Sequence, residues 1–446
     1  MTDGAFSPRY RVTTVGVFAL GFLIAFEALA VTTAMPLVAR DLGGGALYAL
    51  VFSAFSATGV LGTVVAGAWA DRSGPRPPLF AGSALFGLGL LLAGAAWSMP
   101  VLVAARAVQG LGAGAVGAAL YVLVARIYPA RMHPRVFALL AAAWVLPSLI
   151  GPFAAGATAT YLSWHWVFLG ILPLVAAAVG LLVPVLRTQP MPGTGAAMPR
   201  RRILWAVVAA ASVLALQPVL QVPGAGPALA VAAAVVAVVA LRPLLPRGTL
   251  RAGRGLPSLI ASRGLFSAGF LCADAFLPYS LIELRGIPAV AAGGIVTVGA
   301  VSWATGSELQ TRLAARLSDR RCITIGAAAF LTGLCGVGAV ELSGAPIPLL
   351  VVAWLVTGLG IGFAFPRVST AMLAQSTEQE QGRNSAAMQI GDGFGSALAL
   401  TAVGVLSALV AGGSFAAAFD LAVLFGVLAV VVAPRTAPAA APALVR

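Results

Sequence analysis

Apolar runs of about 20 residues follow one another from end to end of the chain, separated by short stretches rich in Arg, Pro and Gly. Read run by run, the apolar spans cover 13–39, 46–70, 79–97, 100–127, 136–160 and 163–186. A Pro/Gly/Arg stretch follows, then 203–221 and 226–245, a second Arg-rich stretch, and 257–283, 289–315, 322–341, 346–373, 384–411 and 414–434. A run of about 20 residues crosses the roughly 30 Å hydrocarbon layer as a helix. Inside lipid the backbone must satisfy its own hydrogen bonds, so these runs predict helices, and the weak alternation of a membrane β-barrel is missing. The expected architecture is an all-α polytopic membrane protein with fourteen spans arranged six, two and six. Residues 1–187 and 257–446 form two six-helix bundles, and 188–256 is a linker with two additional helices.

Composition supports this class. Hydrophobic residues are 60% of the 446 and charged ones 9%, against about 25% charged in soluble globular domains. The formal net charge of +14 invites a nucleic-acid partner, but the charge does not form a stripe on a soluble domain. Every basic residue is Arg, and most lie in the gaps between spans: Arg72, Arg76, Arg126, Arg131, Arg135 and the triplet 200–202 fall on one side. Opposite loops keep Arg40 and Arg285, near Asp41 and Glu283. That asymmetry predicts cytoplasmic termini. Cys272, Cys322 and Cys335 lack ligand spacing, and His133 and His165 are too few for a metal cluster. No Walker loop and no catalytic cluster occur, so neither ATP nor any other cofactor is expected, and an enzyme is not.

The two six-span blocks look like copies. Asp71-Arg72 matches Asp319-Arg320 at a spacing of 248 (319 − 71), Gly110-Leu-Gly-Ala-Gly matches Gly358-Leu-Gly-Ile-Gly at 248 (358 − 110), and Arg135 matches Arg383 at 248 (383 − 135). Paired six-helix halves are how alternating-access transporters build a central substrate site.

Four motifs carry a family resemblance. Gly67-Ala-Trp-Ala-Asp71-Arg72-Ser-Gly74-Pro75-Arg76 is similar to the loop 2–3 motif G-x-L-a-D-r-x-G-r-k of the major facilitator superfamily, with Trp69 and Pro75 departing from it. Its Gly67 suits close backbone approach, and Asp71 can face the positive end of a neighbouring helix. Arg106-Ala-Val-Gln109-Gly110 resembles the fourth-span motif R-x-x-q-G, and an Arg within an apolar run needs an acidic or carbonyl partner. Gly151-Pro152-Phe-Ala-Ala-Gly156 resembles the fifth-span antiporter motif, with Pro147 and Ala155 replacing two of its glycines. Glu27, nine residues before Pro36, stands where the first-span motif of drug:proton antiporters carries Asp. The chain thus resembles the fourteen-helix drug:proton antiporters of that superfamily.

The resemblance implies a cytoplasmic gating latch at Gly67, Asp71, Arg72, Gly74 and Arg76, echoed by Asp319 and Arg320. Glu27, Asp274, Asp392, Glu308 and Arg106 are the candidates for proton coupling, because a carboxyl removed from water favours its neutral form. Glu308 has a competing reading as a surface ion pair with Arg312 at i+4. Trp144 and Phe394 are candidates for stacking on a planar lipophilic substrate. The expected function is proton-coupled export of lipophilic molecules by a monomer in a bacterial plasma membrane. A lipid or lipid-conjugate exporter, an uptake symporter, and a membrane-embedded enzyme or receptor remain open alternatives.

Overall fold

The structure is a computed structural model that describes residues 6–437 apart from 130–131, 189–190, 194, 196, 221, 314–315, 378–379 and 410–415. Arg131 therefore lies outside the described residues, and the side chain of Arg135 is not described.

All regular structure among the described residues is helical. Six spans come first: α1 (Arg11–Asp41), α2 (Tyr48–Ser73), α3 (Arg76–Gly94), α4 (Met99–Ile127), α5 (His133–Tyr161), and a sixth split into α6 (His165–Leu169) and α7 (Leu172–Thr188). The inserted pair is α8 (Arg200–Leu220) and α9 (Gly226–Leu241). The last six are α10 (Leu256–Tyr279), α11 (Ala289–Leu313), α12 (Asp319–Ser343), α13 (Ile347–Ala374), α14 (Gln381–Leu409) and α15 (Ala416–Val432). Thirteen spans among the described residues are long and apolar enough to cross a membrane, and α9 is a shorter apolar helix of 16 residues, about 24 Å long. The protein is therefore the multi-pass α-helical membrane protein that the hydropathy pattern predicts.

The chain separates into two compact units. One comprises Met1–Ala234 with Leu277–Thr297, the other Val235–Phe276 with Val298–Arg446.

In the first unit, glycines set how closely the helices pack. A Cβ on Gly62 of α2 would overlap the Leu111 carbonyl of α4 and come within 3.1 Å of the Ala115 amide. One on Gly82 of α3 would meet the Val116 amide at 3.0 Å, and one on Gly89 the Gln109 amide at 2.6 Å. Gly114 of α4 has no room for a methyl against the Gly59 carbonyl. Lipid gives helices no hydrophobic reason to associate, so such backbone-to-backbone contacts provide the packing. The inserted α8 lays a stripe of Ala206, Ala209, Ala210, Val213, Leu216 and Gln217 inward, and its main neighbour is α2.

The second unit repeats this lattice residue by residue. A Cβ on Gly306 of α11 would meet the Leu359 carbonyl and, at 3.1 Å, the Phe363 amide; one on Gly326 would meet the Ala364 amide at 2.8 Å, and one on Gly333 would crowd the Thr357 amide. On α13 the spacing from the first unit is 248 (359 − 111), whereas on α11 and α12 it is 244 (306 − 62 and 326 − 82). The difference of four residues is one helical turn. It is absorbed at the end of α12, which has 25 residues against 19 for α3.

This register corrects one expected correspondence. Asp71 lies in the last turn of α2, but Asp319 is the first residue of α12. At the packing register of 244, Arg320 answers to Arg76 (320 − 76), not to Arg72.

Adding a methyl at Gly114 forces the α2–α4 backbones apart, an overpacking that costs about 1–3 kcal/mol, whereas a Cβ on Gly117 of the same helix meets nothing within 4 Å among the described residues. Gly114→Ala should therefore lower the Tm of the detergent-purified protein and its monodisperse yield, and Gly117→Ala should change neither.

Candidate functional site

The first cluster lies wholly within the first unit. Gly110 brings α4 against the Phe55 carbonyl and Thr58 of α2, which sets the neighbouring Arg106 beside the Phe55 ring, its guanidinium carbon 4.3 Å from the centroid. Arg106 Nη1 donates to Glu27 Oε1 of α1 and, at 2.7 Å, to Gln109 Oε1 one turn along its own helix. Both charged side chains are sealed, with 1% and 0% exposure. Neighbouring polar atoms are left over: Glu27 Oε2, Arg106 Nε and Gln109 Nε2 are buried without a hydrogen-bond partner among the described residues. An ion pair taken out of water is held at a cost that its Coulomb attraction offsets only in part, and unmade hydrogen bonds enlarge that cost.

The second unit holds a different pair. Gly264 of α10 and Gly391 and Gly395 of α14 let those helices touch, with a Cβ on Gly264 meeting the Gly391 carbonyl at 2.8 Å. Residues beside these glycines then meet: Arg263 Nε donates to Asp392 Oδ2 at 3.0 Å and Ser267 Oγ donates to Asp392 Oδ1. Further along α10, Asp274 is buried with Oδ2 unpartnered among the described residues. It precedes Pro278 and a π turn at Ser280–Leu284, a departure from α geometry often found at functional positions. Glu308 does not join the buried charges; it pairs with Arg312 at 2.8 Å on an exposed face of α11.

Around the α2–α3 turn, Gly74 adopts φ +84° and a Cβ there would strike the Met191 carbonyl. A Cβ on Gly193 would lie as close to the Arg72 carbonyl, which also accepts from the Gly195 amide at 3.3 Å. Arg126 Nη1 donates to the Pro192 carbonyl at 2.6 Å. Residues 191–193 and 195 thus lie across the turn, with Asp71 and Arg72 exposed and Arg76 half-buried. Gly67 departs from expectation: among the described residues nothing stands within 4 Å of a Cβ placed there. At the start of α12, Asp319 pairs with Arg367 of α13 at 2.6 Å, while Arg320 is exposed.

In the fifth span, a Cβ on Gly151 would stand 3.6 Å from the Phe26 carbonyl of α1, and one on Gly156 2.5 Å from the Ala289 carbonyl. The Pro152 carbonyl takes the place a Cβ on Gly293 would need. Trp144 is 53% exposed, whereas Phe394 is enclosed and offers no free face.

Arg263 and Arg367 are not among the candidates that the motifs single out. The signal for Arg263 was the one that singled out Arg106, an Arg inside an apolar run.

The model of the family described as Major Facilitator Superfamily matches residues 17–337. The chain belongs to the Major Facilitator Superfamily. It is therefore a membrane transporter, not an enzyme. A relative from Mycobacterium tuberculosis, named a probable multidrug-efflux transporter, is 29% identical over 444 residues, covering 94% of this chain and 93% of its own. A Staphylococcus aureus protein named multidrug efflux pump SdrM is 24% identical over 172 residues, 39% of this chain and 38% of its own. Among solved structures, a POT family transporter in complex with a thioalcohol-conjugated peptide superposes with a TM-score of 0.68 at 14% identity, covering 94% of both chains. The xylose transporter XylE from E. coli superposes with 0.63 at 13%, covering 94% of this chain and 98% of its own. These likenesses in structure concern the fold alone.

Removing one member of a buried ion pair strands the other at about 3–5 kcal/mol. In this transporter Arg106→Gln should lower the Tm in detergent more than the double change Arg106→Gln with Glu27→Gln. Equal melting of single and double variants would mean that the pair is not coupled.

Proposed function

We propose that this transporter exports lipophilic small molecules across the bacterial plasma membrane by proton antiport through alternating access. The observation that carries the reading is the Glu27–Arg106 pair, sealed inside membrane-spanning helices with orphaned polar atoms on both partners. A proton on Glu27 cancels the charge that holds Arg106, leaving the guanidinium with Gln109 Oε1 and the Phe55 ring. Proton occupancy and helix position are then linked, because α1 and α4 lose their attraction at the same atom. Asp274, equally buried, is a second carrier. The names of the relatives support efflux and a multidrug range.

In this reading 1–187 and 257–446 are the moving halves and 188–256 an insertion. Both termini face the cytoplasm on the Arg asymmetry of the loops. The gating turn at Asp71–Arg76 and the start of α12 at Asp319–Arg320 lie on that same side, where their ion pairs and backbone contacts remake as the halves rock.

The test uses protein in proteoliposomes with an imposed pH gradient and fluorescent lipophilic dyes. Dye movement should follow the gradient in the wild type and fall to passive leak in Glu27→Gln, with dye binding retained. Gradient-driven movement that persists in Glu27→Gln would remove that carboxyl from the coupling.

A further inference from the structure

The Arg263–Asp392 pair differs from Glu27–Arg106 in its exposure and in the partners of its cation. Its side chains keep 18% and 26% exposure. The guanidinium carbon of Arg263 lies 3.3 Å from the Phe365 ring centroid, and Nη1 donates to Ser369 Oγ at 2.7 Å and to the Phe365 carbonyl at 3.4 Å. A carboxylate, an aromatic face and a hydroxyl thus enclose a planar, weakly hydrated cation.

The aromatic surface continues beyond Arg263. Phe365 meets Trp303 edge-on at 5.2 Å, and Trp303 meets Phe270 at 5.0 Å. All three rings are half-buried, and Phe270 is braced by stacking at 5.4 Å on the fully buried Trp354. Each ring stands nearly perpendicular to the next, at 77° and 89°, so faces and edges alternate along an aromatic lining that ends at a carboxylate, the combination that binds an aromatic body carrying delocalised positive charge. A small ammonium ion, strongly hydrated and without a face to stack, fits it poorly.

Resting on the export reading above, we propose that Arg263 is a built-in stand-in for a cationic substrate: a planar aromatic monocation replaces its guanidinium on Asp392 and lies along Phe365, Trp303 and Phe270. The displaced Arg263 keeps Ser369 and the Phe365 carbonyl, so neither charge is left bare during the exchange. With ligand bound the site carries one net positive charge more than before. Arg263 is therefore a competitor, and its removal strengthens binding.

The experiment titrates ethidium, a planar aromatic monocation, into the full chain in lipid nanodiscs at fixed pH and salt, with uncharged Nile red as control. Arg263→Gln should bind ethidium about tenfold tighter, Asp392→Asn should lose the binding, and Nile red should respond to neither. Arg263→Lys covers the case in which Arg263→Gln does not fold. It loses the flat stacking on Phe365, so it should bind ethidium tighter than wild type by a smaller factor. No gain in either Arg263 variant, ethidium binding intact in Asp392→Asn, or no ethidium binding in any variant would overturn the proposal. Gradient-driven dye transport that depends on Glu27 but ignores Arg263 would leave the export reading standing alone.

Discussion

Helices in lipid gain nothing from burying apolar surface against one another, because the tails around them are as apolar as their own side chains. There remains van der Waals contact at short range, and it is strong only where backbones can touch. Gly62, Gly82, Gly89 and Gly114 supply those places in the first unit, and Gly306, Gly326 and Gly333 supply them in the second. The chemistry depends on the same contacts. Gly110 sets α4 against α2 beside Arg106, and Gly264, Gly391 and Gly395 set α10 against α14 beside Arg263 and Asp392. Arg263 and Asp392 thus reach each other because the residues beside them have no side chain.

The two charge pairs occupy different electrostatic settings. Glu27 and Arg106 are shut away from water with polar atoms unmet, a state close to balance between attraction and desolvation. Arg263 and Asp392 are partly exposed and both oxygens of the carboxylate are partnered. A sealed pair responds to a change of charge, since nothing else can screen it. A pair with further polar partners exchanges more readily, because Ser369 and Ser267 remain to cover the intermediate geometries.

Much of this was legible in the sequence, for physical reasons. Lipid imposes a length and an apolar composition on each span, so the helices and their number could be read directly, with α9 the one that falls short in length. Arg106 was legible because an Arg within an apolar run must find a partner, and Glu27 was the acid the resemblance supplied. Arg263 escaped because it sits only seven residues into α10, near a cluster of loop arginines that look topogenic. The faces of Trp144 and Phe394 were not legible either: in a helix apolar all round, periodicity does not distinguish a side chain facing a neighbour from one facing outward. Likewise Gly67 carries the same letter as Gly62, and only packing shows that one is crowded and the other open.

The additional turn at the end of α12 bears on how such a molecule can change length over evolutionary time. Four added residues advance a helix by one turn and rotate its remaining residues by about 40°, whereas a single added residue rotates them by about 100°. In a lattice built from glycine contacts, the larger rotation would swing every later glycine off its neighbour and put a side chain in its place. Insertions and deletions within the spans are thus filtered for near-whole turns. Two copies that began in step drift apart in jumps of four, which is the interval separating the 244 and 248 registers.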